Sequence, residues 1–182
     1  MEHLIFLSSG VVKVDMSPVP DIFRAELDTE LRSILGTSQL GVYDMMRYHL
    51  GWIDEPGQPR QEPGGKLLRP ILCLLACQAV GGEWRQALPA AAAVELVHNF
   101  SLLHDDIEDA SPERHHRPTV WKVWGQAQAI NAGDSMHALA RLALFRLEGR
   151  GVTQERVLRA AHVLDETCLQ LCEGQYLDIC YE

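Results

Sequence analysis

The chain has 182 residues, of which 47% are hydrophobic and 23% are charged, so it is long enough for one hydrophobic core and its composition is that of a folded protein. Sixteen lysine and arginine residues stand against 25 aspartate and glutamate residues, which gives a formal net charge of −9. That balance argues against a general nucleic-acid binder and against a binder of anionic membranes, although it leaves room for a local basic site.

The cysteine content indicates a reducing compartment. Cys73 and Cys77, like Cys168 and Cys172, lie four residues apart at helical spacing, and no Cys-x-x-Cys motif occurs. Cys180 makes the count odd, and an odd count at helical spacing is typical of reduced, buried thiols. We therefore expect a cytoplasmic protein.

The N-terminal segment predicts neither a membrane span nor a signal peptide. No apolar run in the chain approaches the roughly 20 residues that a membrane span requires. The run 4–7 is too short for the core of a signal peptide and lacks a basic start. Residues 1–16 are therefore expected to form an unstructured lead, and residues 17–182 to form the folded domain.

Hydrophobic residues recur at helical spacing along most of the chain. Ser17 and Pro18 open the first helical pattern and Gly36 ends it, while the Pro- and Gly-rich stretch 54–65 and the polar stretch 111–119 are expected to be loops. Helical patterns are predicted over about 17–35, 39–53, 70–80, 83–110, 120–130, 132–149 and 153–182. No alternation typical of a strand is convincing, so the sequence predicts one all-α domain.

The last helical pattern continues almost to Glu182. Val157, Ala161 and Leu164 keep a helical spacing, and apolar residues continue through Ile179 without a proline. We therefore expect the chain to stop within a helix, before the segments that would pack against it, and to expose an apolar face that favours association.

The densest polar cluster lies at the end of the predicted helix 83–110. Asp105 and Asp109 are four residues apart and share a helix face, at a separation of about 6 Å, while Asp106 lies about 100° round the helix. Clustered carboxylates in an apolar helix suit Mg²⁺, which takes its remaining ligands from water and from a substrate phosphate. The spacing alone also fits a solvated acidic helix end. An EF-hand is excluded because its glycine and its loop spacing are missing.

A first basic cluster occupies residues 64–70 and reads Gly-Gly-Lys-Leu-Leu-Arg-Pro. Its two glycines allow a close approach of the backbone, and Lys66 and Arg69 lie about one turn apart, so both cations can converge on one phosphate. The same pattern also fits a capped helix start with solvated cations. It is not a Walker loop, because Gly-Lys-Ser/Thr does not occur here.

A second basic cluster, 114–119, begins five residues after Asp109. It fits either an ion-pair patch beside the acidic helix end or a lid that binds phosphates from the other side. His98 lies seven residues before Asp105, and therefore on the same helix face two turns away. This position fits a ligand-binding histidine as well as an ordinary core histidine.

Five motifs in chain order resemble those of the trans-isoprenyl diphosphate synthases, the polyprenyl synthetase family. They are Gly-Gly-Lys-x-x-Arg-Pro (64–70), Leu-x-His-Asp-Asp-x-x-Asp (102–109), Arg-x-x-x-Pro-Thr (114–119), Ala-Gly-Asp (132–134) and Gly-Gln-x-x-Asp (174–178). The resemblance covers about residues 20–182. It implies the isoprenoid-synthase-type helical bundle, truncated to roughly its first half, and a homodimer when complete.

The resemblance implies a role for each matching residue. Asp105, Asp106 and Asp109 would hold Mg²⁺ on an allylic diphosphate, which makes them the expected catalytic and metal-binding residues. Phe100 and Ser101 match the positions that limit product length, and a phenylalanine there resembles synthases of C15 to C20 products. The expected substrate-binding residues are Lys66, Arg69, His98, Arg114, His115, Gln175 and Asp178.

The implied activity is the Mg²⁺-dependent, head-to-tail condensation of an allylic diphosphate with isopentenyl diphosphate, a prenyltransferase reaction of isoprenoid biosynthesis. Metal ions and cations neutralise the leaving diphosphate, and a dry apolar cavity protects the carbocation from water. The family's Arg-Arg-Gly reads Arg114-His115-His116 here, so phosphate affinity at this point is expected to vary with pH. The family's second aspartate-rich motif has no counterpart, so we expect an N-terminal fragment or truncated gene product that turns over poorly alone.

Two alternatives stay open at this point. One is a non-catalytic subunit that pairs with a catalytic partner, and the intact aspartates argue weakly against it. The other is a terpene cyclase relative, and Lys66 and Arg69 argue against it because a cyclase needs no pocket for isopentenyl diphosphate. Neither reading requires a nucleic-acid partner or a membrane span.

Overall fold

The structure, a computed structural model, describes residues 3–7, 10–14, 21–55, 57–60 and 67–181. Helices dominate the described chain, which confirms the all-α prediction. Short 3₁₀ turns cover Trp84–Ala87 and Glu148–Arg150. In chain order the helices are α1 (Asp21–Leu35), α2 (Gly41–His49), α3 (Leu68–Ala79), α4 (Leu88–Glu108), α5 (Val120–Trp124), α6 (Gln126–Phe145) and α7 (Gln154–Tyr181).

Helix α4 lies at the centre of the bundle and packs most extensively on α6. Both helices bury alanines completely, among them Ala92 and Ala93 on α4 and Ala132 and Ala140 on α6. The distance between two packed helices depends on the side chains at the contact, so alanines allow these two backbones to approach closely. The close packing gives the last turn of α4 a rigid support.

Helix α1 is fastened to the end of α6 by a buried carboxylate. Glu30 is 7% exposed, and its oxygens lie 3.5 Å from Arg146 Nη1 and 2.6 Å from Arg150 Nη2. A buried charge needs partners of opposite sign, and two arginines supply them here. This ion-pair cluster fixes the position of α1, which forms one wall of the cavity described below.

Helix α7 is the longest described helix, with 28 residues. It exposes several large apolar side chains along its second half, among them Leu169, Tyr176, Leu177 and Ile179. In the part of the chain that the structure describes, no helix combines the length and the apolar character of a membrane span.

Two predicted helix boundaries differ from those in the structure. The helix predicted over 83–110 begins later, at Leu88, because Pro89 has no N–H to donate and fits only in the first turn of an α-helix. The boundary predicted between 120–130 and 132–149 is wrong, because the break lies at Gly125. This residue has a φ of +85°, a conformation that glycine adopts more easily than other residues.

An N-terminal β-hairpin departs from the prediction. Strand β1 (His3–Leu7) pairs in antiparallel register with β2 (Gly10–Val14), so the expectation of an unstructured lead over 1–16 is wrong for these residues. The reason is local, because β-branched residues such as Val11 and Val12 favour an extended backbone even without strict alternation. The boundary predicted between residues 16 and 17 lies outside the described residues.

A second, smaller ladder lies within the predicted loop 111–119. Strand β3 (Glu113–Arg114) pairs with β4 (Arg117–Pro118), and a two-residue turn joins them. Two-residue strands are too short to show a period in the sequence, so this hairpin escaped prediction. It carries several of the predicted site residues.

Candidate functional site

Asp105, Asp106 and Asp109, which we call the acidic cluster, lie at the C-terminal end of α4. The helix ends with Ala110 at a φ of +50°, and the N–H of Ser111 donates to the carbonyl oxygen of Asp106 at 2.9 Å. This turn stops the helix directly after the cluster. Asp105 is left half-buried, Asp106 is 1% exposed, and Asp109 lies at the exposed end.

Asp106 is paired with Arg114 of β3. Its Oδ1 accepts a hydrogen bond from Nε of Arg114 at 2.9 Å and lies 2.9 Å from Nη2 in an ion pair, while its Oδ2 is buried without a hydrogen-bond partner among the described residues. Burial raises the pKa of Asp106, and the adjacent guanidinium opposes that rise. The Asp106 carboxylate is therefore turned to Arg114, because a buried carboxylate needs a cation beside it, and its expected role at the metal stays a prediction.

Asp105 and Asp109 are the remaining carboxylates of the predicted Mg²⁺ site. The pKa of Asp105 is raised by burial and then by the nearby charges of Glu108 and Asp109. Among the described residues, no three side chains of the metal-binding types are grouped around one point. Two carboxylates are nevertheless the usual protein contribution to Mg²⁺ when phosphate and water supply the other ligands. The donors present at this helix end therefore fit Mg²⁺ shared with a phosphate.

A cavity of about 430 Å³ lies between α1, the end of α2, the start of α3, α4 and the β3–β4 turn. We call it the cation-lined cavity. Its described acidic residues are Asp28, Glu95 and Asp106, which are fewer than its cations. The described basic residues that line it are Arg24, Arg60, Arg69, Arg114, Arg117, His49, His98 and His115.

Arg69 and His98 meet inside this cavity, as the predicted anion site requires. Arg69 Nη1 lies 3.3 Å from His98 Nε2. The pKa of His98 is lowered by burial, then by Arg69 and Arg114, so the imidazole is favoured in its neutral form. Lys66, the other predicted cation, lies outside the described residues. His98 thus lines the cation-lined cavity, and its expected role in substrate binding stays a prediction.

Two residues of the cavity were missed by sequence reasoning. His49, the last residue of α2, has its pKa lowered to about 3, first by burial and then by neighbouring cations of which Arg114 is the strongest. Glu95 is 8% exposed and accepts a hydrogen bond from Asn99 Nδ2 at 2.9 Å. Neither residue stands in a recognisable motif.

The arginines that line the cation-lined cavity repel one another, and this repulsion favours an anion in the cavity.

The turn between β3 and β4 consists of His115 and His116, which have φ values of +52° and +59°. Positive φ at both central residues is the requirement of a two-residue type I′ hairpin turn, which glycine and asparagine usually fill. The sequence has His116 where the Arg-Arg-Gly motif has glycine, and this difference also affects the backbone of the turn. A histidine holds a backbone conformation that glycine would hold with less strain.

The Ala-Gly-Asp motif supports the acidic cluster from α6. Gly133 lies directly under the imidazole of His104, and a Cβ at this position would clash with that ring. Asp134 Oδ1 lies 3.5 Å from His104 Nε2. The motif thus fixes the residue next to Asp105, a function that its spacing in the sequence did not reveal.

The two residues predicted to limit product length have different surroundings. The Phe100 ring is 8% exposed, and its centroid lies 5.9 Å from that of His104 and 5.0 Å from that of His137 on α6. Ser101 donates its hydroxyl hydrogen to the carbonyl oxygen of His98 at 2.9 Å. Phe100 therefore lies between α4 and α6, while Ser101 is bonded to its own helix.

Gln175 and Asp178 lie near the end of α7. Asp178 is exposed and Gln175 is partly buried. Within the described part of the chain, neither side chain forms a hydrogen bond or an ion pair with the acidic cluster, so their expected role stays a prediction.

Comparison with known proteins identifies the family of this chain. The family model described as polyprenyl synthetase matches residues 51–182. The chain belongs to the polyprenyl synthetase family. The resemblance drawn from the five motifs is thereby confirmed.

Similar polyprenyl synthetases occur in bacteria and archaea. The (2E,6E)-farnesyl diphosphate synthase of Mycobacterium tuberculosis is 43% identical over 165 residues, which are 91% of this chain and 45% of that protein. The geranylgeranyl diphosphate synthase of Methanosarcina mazei is 49% identical over 121 residues, which are 66% of this chain and 36% of that protein. The crystal structure of a polyprenyl synthetase from Streptomyces coelicolor superposes with a TM-score of 0.82 at 41% identity, covering 92% of this chain and 48% of that one. The chain thus spans less than half the length of these relatives.

Proposed function

We propose that this chain carries the diphosphate-binding residues of a prenyltransferase that joins an allylic diphosphate to isopentenyl diphosphate, head to tail and with Mg²⁺. The observation that carries the proposal is the ion pair between Asp106 and Arg114, because it joins the acidic end of α4 to the cation-lined cavity. Two diphosphates bound on either side of this pair would lie next to each other.

The cation-lined cavity is the proposed site of isopentenyl diphosphate. Arg69 and Arg114 provide guanidinium groups, which bind phosphate oxygens through paired N–H donors. His98 is held against Arg69 in its neutral form and adds a further polar contact. Lys66 is expected to add a cation from the segment that precedes α3. His115 is exposed on the turn beside Arg114 and stands where the family motif has its second arginine.

The acidic end of α4 is the proposed site of the allylic diphosphate. Asp105 and Asp109 would hold Mg²⁺, which when bound acts as a Lewis acid on the departing diphosphate. The chain itself contributes the fixed position of these carboxylates, through the turn at Ala110 and the support of His104 by Gly133. The buried apolar side chains of α4 that precede the cluster, Leu96, Phe100 and Leu103, would keep water from the reacting carbon.

Phe100 is the proposed limit on product length. It lies five residues before Asp105, about 140° round the helix, and packs against His137 of the facing helix, so its ring occupies the space between α4 and α6. A growing prenyl chain that enters between these helices would meet this ring. The proposal is consistent with the synthases of farnesyl and geranylgeranyl diphosphate among the relatives, and Ser101 is its expected neighbour in this role.

A binding experiment tests the proposed function. Geranyl S-thiolodiphosphate, an allylic analogue that ionises poorly, is titrated calorimetrically into the chain with and without Mg²⁺. We expect binding that depends on Mg²⁺ in the millimolar range, and a loss of at least about tenfold in affinity in Asp105→Asn/Asp109→Asn, because two charged ligands are removed.

The matched control changes the same number of charges elsewhere. Glu148 and Glu155 are both exposed and lie outside the cation-lined cavity. Glu148→Gln/Glu155→Gln should therefore bind the analogue as the unmodified chain does. Equal Mg²⁺-dependent binding by the aspartate variant would show that the acidic cluster is not the metal site, and a chain that binds no diphosphate at all would favour the non-catalytic reading.

A further inference from the structure

The hairpin that carries Arg114 and His115 is too small to hold itself in place. Its ladder consists of two residues on each side, and isolated two-stranded hairpins are marginally stable even when they are longer. Its turn is also strained, because both central residues have a positive φ. The position of Arg114 in the cation-lined cavity must therefore depend on contacts between the hairpin and the rest of the bundle.

Arg117 of β4 makes such contacts with the end of α2. Its Nη1 donates to the carbonyl oxygen of Tyr48 at 3.0 Å, and its Nη2 donates to the carbonyl oxygen of Ile53 at 2.9 Å. The guanidinium carbon lies 4.0 Å from the centroid of the Tyr48 ring. Both terminal nitrogens of Arg117 thus bind backbone oxygens, although the side chain lines the cation-lined cavity.

Tyr48 makes the reciprocal contact. It is 4% exposed, and its hydroxyl donates to the carbonyl oxygen of Pro118 at 2.8 Å. Both residues of β4 are therefore fastened to α2, one through its side chain and the other through its backbone. Since β4 pairs with β3, these contacts also determine where Arg114 stands relative to Asp106.

We propose that Arg117 and Tyr48 are positioning residues that hold Arg114 and His115 in the cation-lined cavity and so set its affinity for a diphosphate without touching the ligand. The inference rests on the proposed function, because it assumes that this cavity binds diphosphate. In this role Arg117 acts through its hydrogen bonds to two carbonyl oxygens and its stacking on Tyr48, and not through its charge alone.

The chemistry of arginine distinguishes this role from direct binding. A guanidinium can stack on the Tyr48 ring while two of its nitrogens donate to two different carbonyls, and an ammonium group cannot reproduce that geometry. Arg117→Lys therefore keeps the charge and loses the anchor. If Arg117 bound the ligand through its charge, lysine would largely replace it.

Calorimetric titration of the full chain with inorganic pyrophosphate at several salt concentrations tests the inference. We expect Arg117→Lys to weaken binding about tenfold, roughly the equivalent of one lost charge-assisted hydrogen bond, and to leave the salt dependence of binding unchanged. Tyr48→Phe keeps the stacked ring and removes only the hydroxyl, so it should remain folded and weaken binding about threefold. Arg69→Gln, which removes a direct contact, should reduce the salt dependence as well.

Arg47, which precedes Tyr48 on α2, provides a matched control. It donates to the carbonyl oxygens of Gly36 and Ser38, lies 5.9 Å from the Tyr43 ring centroid, and does not line the cation-lined cavity. Arg47→Lys should therefore lower thermal stability as Arg117→Lys does and leave pyrophosphate affinity unchanged.

The outcomes separate this inference from the proposed function. Unmodified affinity in Arg117→Lys, or a weakened affinity accompanied by a reduced salt dependence, would overturn the positioning role while the cavity still binds pyrophosphate. Equal weakening by Arg47→Lys would also overturn it, since the effect would then be one of general stability. Failure of the unmodified chain to bind pyrophosphate would overturn the proposed function, and the inference with it.

Discussion

At the residue scale, the acidic cluster opposes the stability of the chain that carries it. Asp105 lies half-buried beside two further carboxylates, and its pKa is raised by burial and by Glu108 and Asp109. A raised pKa in the folded state means that the folded chain holds the proton more tightly than the unfolded chain. The contribution of Asp105 is therefore most favourable below its ordinary pKa of 3.8, and it becomes less favourable as the pH rises through the folded-state pKa.

Asp105→Asn is consequently expected to stabilise the metal-free chain at neutral pH. The gain is about 0.5 kcal/mol, because the variant removes a partly buried charge and the like-charge repulsion within one turn, and it should disappear at acidic pH, where the carboxyl is protonated in both states. Urea unfolding at neutral and at acidic pH measures it. Glu155→Gln, at an exposed site outside the cluster, is the control and should give no such pH-dependent gain. Destabilisation by Asp105→Asn at neutral pH would contradict the account.

At the element scale, the β3–β4 hairpin combines a strained turn with Arg114, a proposed diphosphate-binding residue. His116 has a φ of +59°, where a Cβ costs about 1 kcal/mol relative to glycine. His116→Gly should therefore raise the free energy of unfolding by about 0.5–1 kcal/mol. His116→Ala is the matched control, because it removes the imidazole and keeps the Cβ. An equal gain in the two variants, measured by urea unfolding, would show that the imidazole and not the backbone is the cause.

The helical spacing of apolar residues predicted most of the helices, and it failed for elements whose apolar residues show no such spacing. The pattern of apolar residues identified α1, α4 and α7, because each buries one face over several turns. The break at Gly125 was misplaced, since helices α5 and α6 lie directly on either side of it and the apolar pattern continues across it. Strands β3 and β4 have two residues each, and no period exists over that length.

The sequence predicted which residues belong to the candidate site, but it did not predict which of them contact one another. Helical spacing placed Asp105 and Asp109 on one face, but it gives angles round a helix and says nothing of what lies opposite. The pairing of Asp106 with Arg114 joins residues on two elements, and the anchoring of Arg117 on Tyr48 spans 69 positions of sequence. Such contacts follow from the packing of the bundle, which spacing in the sequence does not encode.

At the scale of the whole molecule, a strongly acidic chain places a group of its arginines around one cavity. The net charge is −9, yet five of the described arginines line the cation-lined cavity, and the acidic end of α4 adjoins it. Asp106 and Arg114 form the boundary between the two regions. We propose that these two regions act together, with the acidic end holding a metal ion through a diphosphate.

Electron paramagnetic resonance of Mn²⁺, used as a substitute for Mg²⁺, tests that claim most directly, because the signal of free Mn²⁺ falls when the ion is bound. The account predicts a small fall with the chain alone and a much larger one when geranyl S-thiolodiphosphate is added, beyond the fall that the analogue causes without protein. The added fall should vanish in Asp105→Asn/Asp109→Asn and persist in Glu148→Gln/Glu155→Gln. A chain that adds nothing to Mn²⁺ binding by the analogue, or an aspartate variant that binds as well as the unmodified chain, would contradict the account.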